Sequence, residues 1–146
     1  MSDNRKLITR QLCLTSHLGT KEILFGGQML AWADIAASIW CMQIVRAGSD
    51  SMITVHMSDN DFMAAVRVGD IVEFYGESFK VGRTSVTVQI IVKIYDPRSG
   101  TTSKAFRYTA VMVNIDGNLK STPLLADVQN TGWSALTNDN NSSVER

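Results

Sequence analysis

A chain of 146 residues, 45% hydrophobic and 19% charged, suits one domain that buries roughly 68–70% of the surface its unfolded form exposes. Its 14 Lys and Arg balance 14 Asp and Glu. This argues against a nucleic-acid-binding module, whose affinity comes from basic side chains neutralising phosphates, and against attraction to an anionic membrane. Cys13 and Cys41 are too few for a disulfide framework, and with the two histidines they make no zinc spacing, so no metal is expected and both thiols are expected to be buried. No apolar run before Thr15 is long enough for a signal peptide, and the chain is expected to be cytoplasmic.

Lys6 to Leu14 alternates weakly and predicts an edge strand. Gly26-Gly27 opens the one long helix and Gly48 closes it, with Arg46 in the last turn facing the negative end of the helix dipole. From Met29 to Met42 that helix is apolar on every side except at Asp34 and Ser38. Such a stretch reads as a core helix, too short and too charged to span a membrane. Strands are then predicted over Ser51–Met57, Ile71–Val81, Thr84–Tyr95 and Ala105–Ile115. In the third of these, Val86, Val88, Ile90, Val92 and Ile94 share one face against Thr87, Gln89 and Lys93 on the other. Asp96-Pro97-Arg98-Ser99-Gly100 and Asp116-Gly117-Asn118 are turn clusters. The pattern decays after Pro123, giving one domain over 1–125 and a partly disordered tail over 126–146.

Consecutive strands joined by short turns imply an antiparallel sheet packed on the helix, an α+β architecture. One curved sheet cannot cover a helix that is apolar all round. A second copy of the chain is therefore expected to close the far side.

Asp34 stands out chemically. A lone carboxylate in an apolar helical run costs several kcal/mol to bury unpaired. It is either a structural Asp bonded to Ser38 or a backbone loop, or a catalytic base or nucleophile set by its apolar wall. Gly26 and Gly27 let another group approach the helix start, where first-turn N–H groups would stabilise an oxyanion; a tight strand-to-helix turn is the plainer reading. Gly27 and Asp34 are separated by about 10.5 Å along one helix axis, so both acting on one carbonyl requires two chains. Gly82-Arg83-Thr84-Ser85 reads as a turn or bulge, or as donors for a phosphate or thioester. Gly76 to Thr84 fails as a phosphate-binding P-loop, with one residue too many between the glycines and a strand where a helix should follow. Lys80, Arg83, Lys93, Arg98, Lys104 and Arg107 are each solvated strand ends or tips, or together a site for a multiply phosphorylated ligand. No spacing supports a covalent serine or cysteine mechanism.

Phe25-Gly26-Gly27-Gln28-Met29-Leu30-Ala31-Trp32-Ala33-Asp34, then Phe62 with Val66-Arg67-Val68-Gly69-Asp70, then Gly82-Arg83-Thr84-Ser85-Val86, occur in an order and separation that resemble the hotdog-fold acyl-CoA thioesterases, over about Leu7 to Ile115. The resemblance implies a five- or six-stranded antiparallel sheet wrapped around the helix, dimers with a continuous sheet, and a trimer of dimers. It implies hydrolysis of acyl-CoA thioesters to free acid and CoA without a metal or separate cofactor. By that resemblance Asp34 is the catalytic carboxylate, as base or nucleophile, and Gly27, beside Gly26, polarises the carbonyl. Gly82, Arg83, Thr84 and Ser85 line the coenzyme A site. The family's usual Asn ahead of the glycine pair is missing from Ser16 to Glu22, which makes Ser16 and His17 the candidates for a second catalytic group. The proline usual after Phe62 is absent too. The alternative is a non-catalytic acyl-CoA or acyl-carrier binding protein of the same fold; a hydratase is weaker, since neither His17 nor His56 lies near the helix in sequence.

Overall fold

The computed structural model describes residues 5–46 and 51–131. Its elements run β1 (Lys6–Leu12), α1 (Gly26–Val45), β2 (Met52–Phe62), β3 (Ile71–Val81), β4 (Ser85–Asp96) and β5 (Thr101–Asn114), with short 3-10 turns at Thr15–His17 and Thr20–Glu22. The five strands form one antiparallel sheet in the order β1-β3-β4-β5-β2, with α1 across its inner face. One sheet laid around one long helix is the α+β hotdog arrangement.

Alternation builds the centre of this sheet. Val86, Val88, Ile90, Val92 and Ile94 of β4 are all at most 6% exposed, and Phe106, Tyr108, Ala110 and Met112 of β5 extend the same apolar surface. Ile91 points outward yet is also buried, flanked by Tyr75 on β3 and Arg107 on β5. The β4–β5 hairpin closes as its turn residues predict, with the Gly100 N–H on the Asp96 carbonyl at 2.7 Å and Gly100 at φ +74°. Within that turn, hydrogen bonds from the Arg98 side chain and backbone hold the Asp96 carboxyl below its ordinary range.

Two strands are longer than their sequence suggests. β2 was expected to stop at Met57 but runs to Phe62, because a bulge between Ser58 and Asp61 keeps this polar stretch paired along β5. Asp59 takes φ 55° there and accepts a hydrogen bond from Thr109 Oγ1 at 3.0 Å. β5 likewise begins at Thr101, where hairpin pairing with β4 overrides the polarity of Thr101–Lys104.

The helix differs from the expectation in one way: at 20 residues it is long and apolar enough to cross a membrane. Its packing decides the matter: Met29, Trp32, Ala33, Ala36, Ala37, Trp40, Cys41 and Val45 are buried in the core. The sheet leaves the far side uncovered, as expected for a helix apolar all round, with Ile35 53% exposed there. Arg46 caps it in the left-handed region (φ 58°, ψ 48°), its N–H on the Met42 carbonyl and its guanidinium on Asp127. Gly48, the expected stop, lies outside the described residues.

Gly76 of β3 makes room for the helix. A Cβ there would sit 2.6 Å from the Trp40 indole, which packs edge-on against Phe79. At the opposite end from the β4–β5 hairpin, residues 122–131 fold back as a strap. Leu124 and Val128 enter the core, while the N–H groups of Leu124 and Asn130 bond the carbonyls of Arg83 and Gly82. Residues 126–131 belong to the segment expected to be a partly disordered tail; its remainder lies outside the described residues.

Both cysteines are free and fully buried. Burial pushes the Cys41 thiol up to about 12, and burial with the nearby Asp70 carboxylate raises Cys13. Tyr108 moves in the same direction, by burial first and its bond to Asp34 second. A buried thiol that keeps its proton from its ordinary 9.0 up to about 12 means the folded state binds more protons than the unfolded state over that window. Stability is therefore full below it and falls as pH rises through it. A disulfide thiol reagent should leave both cysteines intact at neutral pH and react as the fold gives way in that alkaline window. Rapid reaction of the native protein at neutral pH would contradict the burial.

Candidate active site

Asp34 projects from the third turn of α1 toward the β2 side of the sheet. It is half-buried, and two hydroxyls hold it: Thr54 Oγ1 donates to Oδ1 at 2.9 Å and Tyr108 Oη donates to the same oxygen at 2.8 Å. Oδ2 accepts no hydrogen bond among the described residues. Ser38, the sequence's nearest partner, instead bonds the Asp34 main-chain carbonyl at 2.9 Å, as a helical serine one turn on does. The carboxylate is thus anchored by one oxygen, with the other available.

The helix start lies about two turns away. Phe25 is the N-cap, and its carbonyl takes the N–H groups of Gln28 and Met29. The Gly26 and Gly27 N–H groups make no hydrogen bond among the described residues, as first-turn donors do. A Cβ on Gly27 would meet the exposed Phe25 ring at 2.8 Å, and one on Gly26 would rest 3.5 Å from Phe62. Beside this start opens an apolar cleft of about 340 Å³, lined by Leu24, Met29, Phe62, Met63 and Val66 among others. Phe62 stands 59% exposed at the cleft, whereas Trp32 and Trp40 are core residues.

The loop ahead of the helix carries the other candidates. A bridge between Leu18 and Leu24 and the Phe25 N–H on the His17 carbonyl bring Ser16 and His17 beside the N-cap. Lys21 and Glu22 both take positive φ in the turn. His17 Nδ1 accepts the Leu14 N–H at 3.0 Å and its ring meets Trp32 edge-on at 4.8 Å. His17 is thus near the helix in space although not in sequence. Trp32 and Asp34 point about 200° apart around the helix, so within one chain His17 lies on the far side from the carboxylate. Ser16 is exposed. His56 faces outward from β2, opposite Val111.

Gly82, Arg83, Thr84 and Ser85 form the β3–β4 turn, closed by the Gly82 N–H on the Ser85 carbonyl at 2.8 Å. Phe62 lies at the level of Phe106, Val92 and Phe74 across the sheet. From Phe74 to Gly82 is about 25 Å of strand, so one chain cannot bring this turn to its own Gly27. The strap consumes the carbonyls of Gly82 and Arg83, leaving the Arg83 guanidinium and the Thr84 and Ser85 hydroxyls as the turn's polar side chains. The six basic residues do not form one patch within a chain. Lys80 and Arg83 sit at one end of the sheet and Arg98 and Lys104 at the other. Lys93 lies over the Tyr75 ring, Arg107 is 3.9 Å from Glu77, and Arg98 pairs with Asp70 and Asp96.

Thr54 and Tyr108 are the site residues that the sequence did not point to. The available signal was a hydroxyl on the inward-facing row of each strand, where every such group needs a partner.

A profile of the thioesterase superfamily matches residues 21–101. The chain is 30% identical over 113 residues to an uncharacterized acyl-CoA thioester hydrolase of Buchnera aphidicola, covering 73% of this chain and 82% of that relative. It is 30% identical over 112 residues to the acyl-CoA thioester hydrolase YciA of Escherichia coli, covering 72% and 83%. A solved hexameric thioesterase of Yersinia pestis superposes with a TM-score of 0.75 at 26% identity, covering 83% of this chain and 96% of that one. The chain belongs to the thioesterase superfamily, in its acyl-CoA thioester hydrolase branch.

Proposed function

We propose that the chain hydrolyses acyl-CoA thioesters in sites built from two chains, with Asp34 of one facing the Gly27 N–H of the other. The observation that carries this reading is the half-buried Asp34 carboxylate, held through Oδ1 with Oδ2 open, on the side of the helix that faces the free edge strand. That edge, β2, exposes Ile53, Val55 and Met57 at 41%, 54% and 42%. Unpaired strand groups with apolar side chains call for a partner strand. Antiparallel pairing of two β2 strands about a two-fold axis joins two sheets into one and sets the ends of the two chains in opposite directions. The Gly82–Ser85 turn of one chain then approaches the helix start of the other, the encounter that 25 Å of strand forbids within a chain.

In this arrangement the thioester carbonyl takes the position beside Gly27 now covered by the Phe25 ring, and accepts the Gly27 N–H. Asp34 deprotonates a water that attacks the carbonyl carbon, or attacks it itself to form an acyl anhydride that a water then hydrolyses, releasing the acid and restoring the carboxylate. The carbon–sulfur bond breaks, the CoA thiolate leaves and takes a proton, and water's oxygen ends in the free acid. The apolar cleft beside Met29 and Phe62 suits the acyl chain. Arg83, Thr84 and Ser85 of the partner supply donors for the anionic part of CoA. Three such dimers would make a hexamer, the assembly of the Yersinia pestis relative. Two free, buried thiols suit the reducing cytoplasm.

Mixing inactive chains tests the shared site. Asp34→Asn chains co-refolded with Gly27→Val chains form hetero-pairs in which one of two sites keeps both native groups. Free-thiol release should return to about a quarter of wild-type turnover on random pairing. No recovery, with hetero-pairs demonstrated by mass, would place both groups in one chain. Saturable acyl-CoA binding without turnover by the wild type would replace hydrolysis with the binding-protein reading.

A further inference from the structure

Nothing in the family assignment specifies what holds Asp34, and the two hydroxyls that do so come from different strands. Thr54 reaches it from the edge strand β2 and Tyr108 from β5, both onto Oδ1, at 2.9 and 2.8 Å. Two bonds to one oxygen restrict rotation of the carboxylate and leave Oδ2 as the oxygen without a donor among the described residues. Tyr108 is itself immobile: it is fully buried, with its ring stacked on Phe106 at 6.3 Å. Thr54 sits just before a bulge, which locally sets the direction of its side chain.

We infer that Tyr108 and Thr54 are a positioning pair for the reaction: they hold the Asp34 carboxylate by Oδ1 and reserve Oδ2 for the substrate or its water. Other titratable groups do not substitute for the pair. On β2, His56 faces outward, Asp59 is engaged by Thr109, and Asp61 lies opposite Arg107. On β4 the inward row from Val86 to Ile94 is entirely aliphatic. On α1 itself Asp34 is the only charged residue from Gly26 to Val45. His17 packs on the Trp32 side of the helix. Tyr108 is held protonated by burial, and Asp34 adds to that, so it stays a donor throughout the working range.

This rests on Asp34 as the reacting carboxylate, and the test separates the two ideas. The kcat and KM for acyl-CoA hydrolysis are measured separately for wild type, Tyr108→Phe, Thr54→Val and Thr54→Ser. With the carboxylate no longer held, kcat should fall by about tenfold in Tyr108→Phe, with KM little changed, and in the same direction in Thr54→Val. Thr54→Ser, which keeps the donor, should retain the wild-type kcat. The two positions check one another: if Tyr108→Phe proves too unstable to assay, the Thr54 pair still decides. A wild-type kcat in a folded Tyr108→Phe or Thr54→Val variant would reduce the pair to packing residues and overturn the inference. Full turnover in Asp34→Asn would instead remove the mechanism on which it rests.

Discussion

Asp34→Asn is expected to lower kcat by about 100- to 10,000-fold, the usual contribution of a positioned acid–base group, without loosening the fold. The substitution is selective because of how Asp34 is held. Thr54 and Tyr108 both donate to one oxygen, and the Asn side-chain carbonyl accepts both bonds. What changes is the other atom: an amide nitrogen replaces Oδ2, and it can neither attack a carbonyl nor take a proton from water. Asp34→Ala is the instructive contrast. It would leave the fully buried Tyr108 hydroxyl without its acceptor, a cost of about 1–3 kcal/mol that would mix a stability loss into the kinetics. Thermal unfolding and thiol-release kinetics run together on Asp34→Asn give the answer. An unchanged midpoint with lost turnover supports the assignment. Near-native turnover would move the chemistry elsewhere.

The largest stability effect is expected at Trp40. Its indole is 3% exposed, edge-on to Phe79 at 5.6 Å, and so close to β3 that only glycine fits at position 76. Trp40→Ala should cost about 3–5 kcal/mol, because the space left behind cannot be closed by a residue that has no side chain. That is a large share of the 5–15 kcal/mol typical of a domain, so the variant should unfold at markedly lower urea. Urea unfolding at matched protein concentration checks this. A loss below about 1 kcal/mol would mean that the sheet collapses onto the helix, contradicting the rigid contact.

These two cases show what a sequence discloses and what it conceals. The alternation of Val86 to Ile94 was readable because both the strand and its burial follow from a period of two. Asp34 was readable because a charge inside an apolar helix is anomalous on its own. Its partners were not: Tyr108 is 74 residues away, and a hydroxyl on a strand is ordinary until its neighbour is known. Gly76 drew notice in the sequence only as the first glycine of a failed P-loop match, and it is a socket for Trp40. The outer bounds of β2 and β5 were hidden because polar residues there are held by strand pairing rather than by burial. The basic residues from Lys80 to Arg107 looked like one group along the chain, but the antiparallel turns send them to opposite ends of the sheet.

The strand order has a kinetic consequence. β3, β4 and β5 are neighbours in both sequence and space, so their pairing closes only short loops. β2 must cross the chain to reach β5, and β1 must wait for β3. Loop closure therefore favours the central meander as the first part to form and makes the two outer strands late arrivals. Thr54 travels with β2, so Asp34 gains its full set of contacts only as the last edge docks. On this order the chain acquires a hydrophobic centre before Asp34 is held by both of its hydroxyl partners.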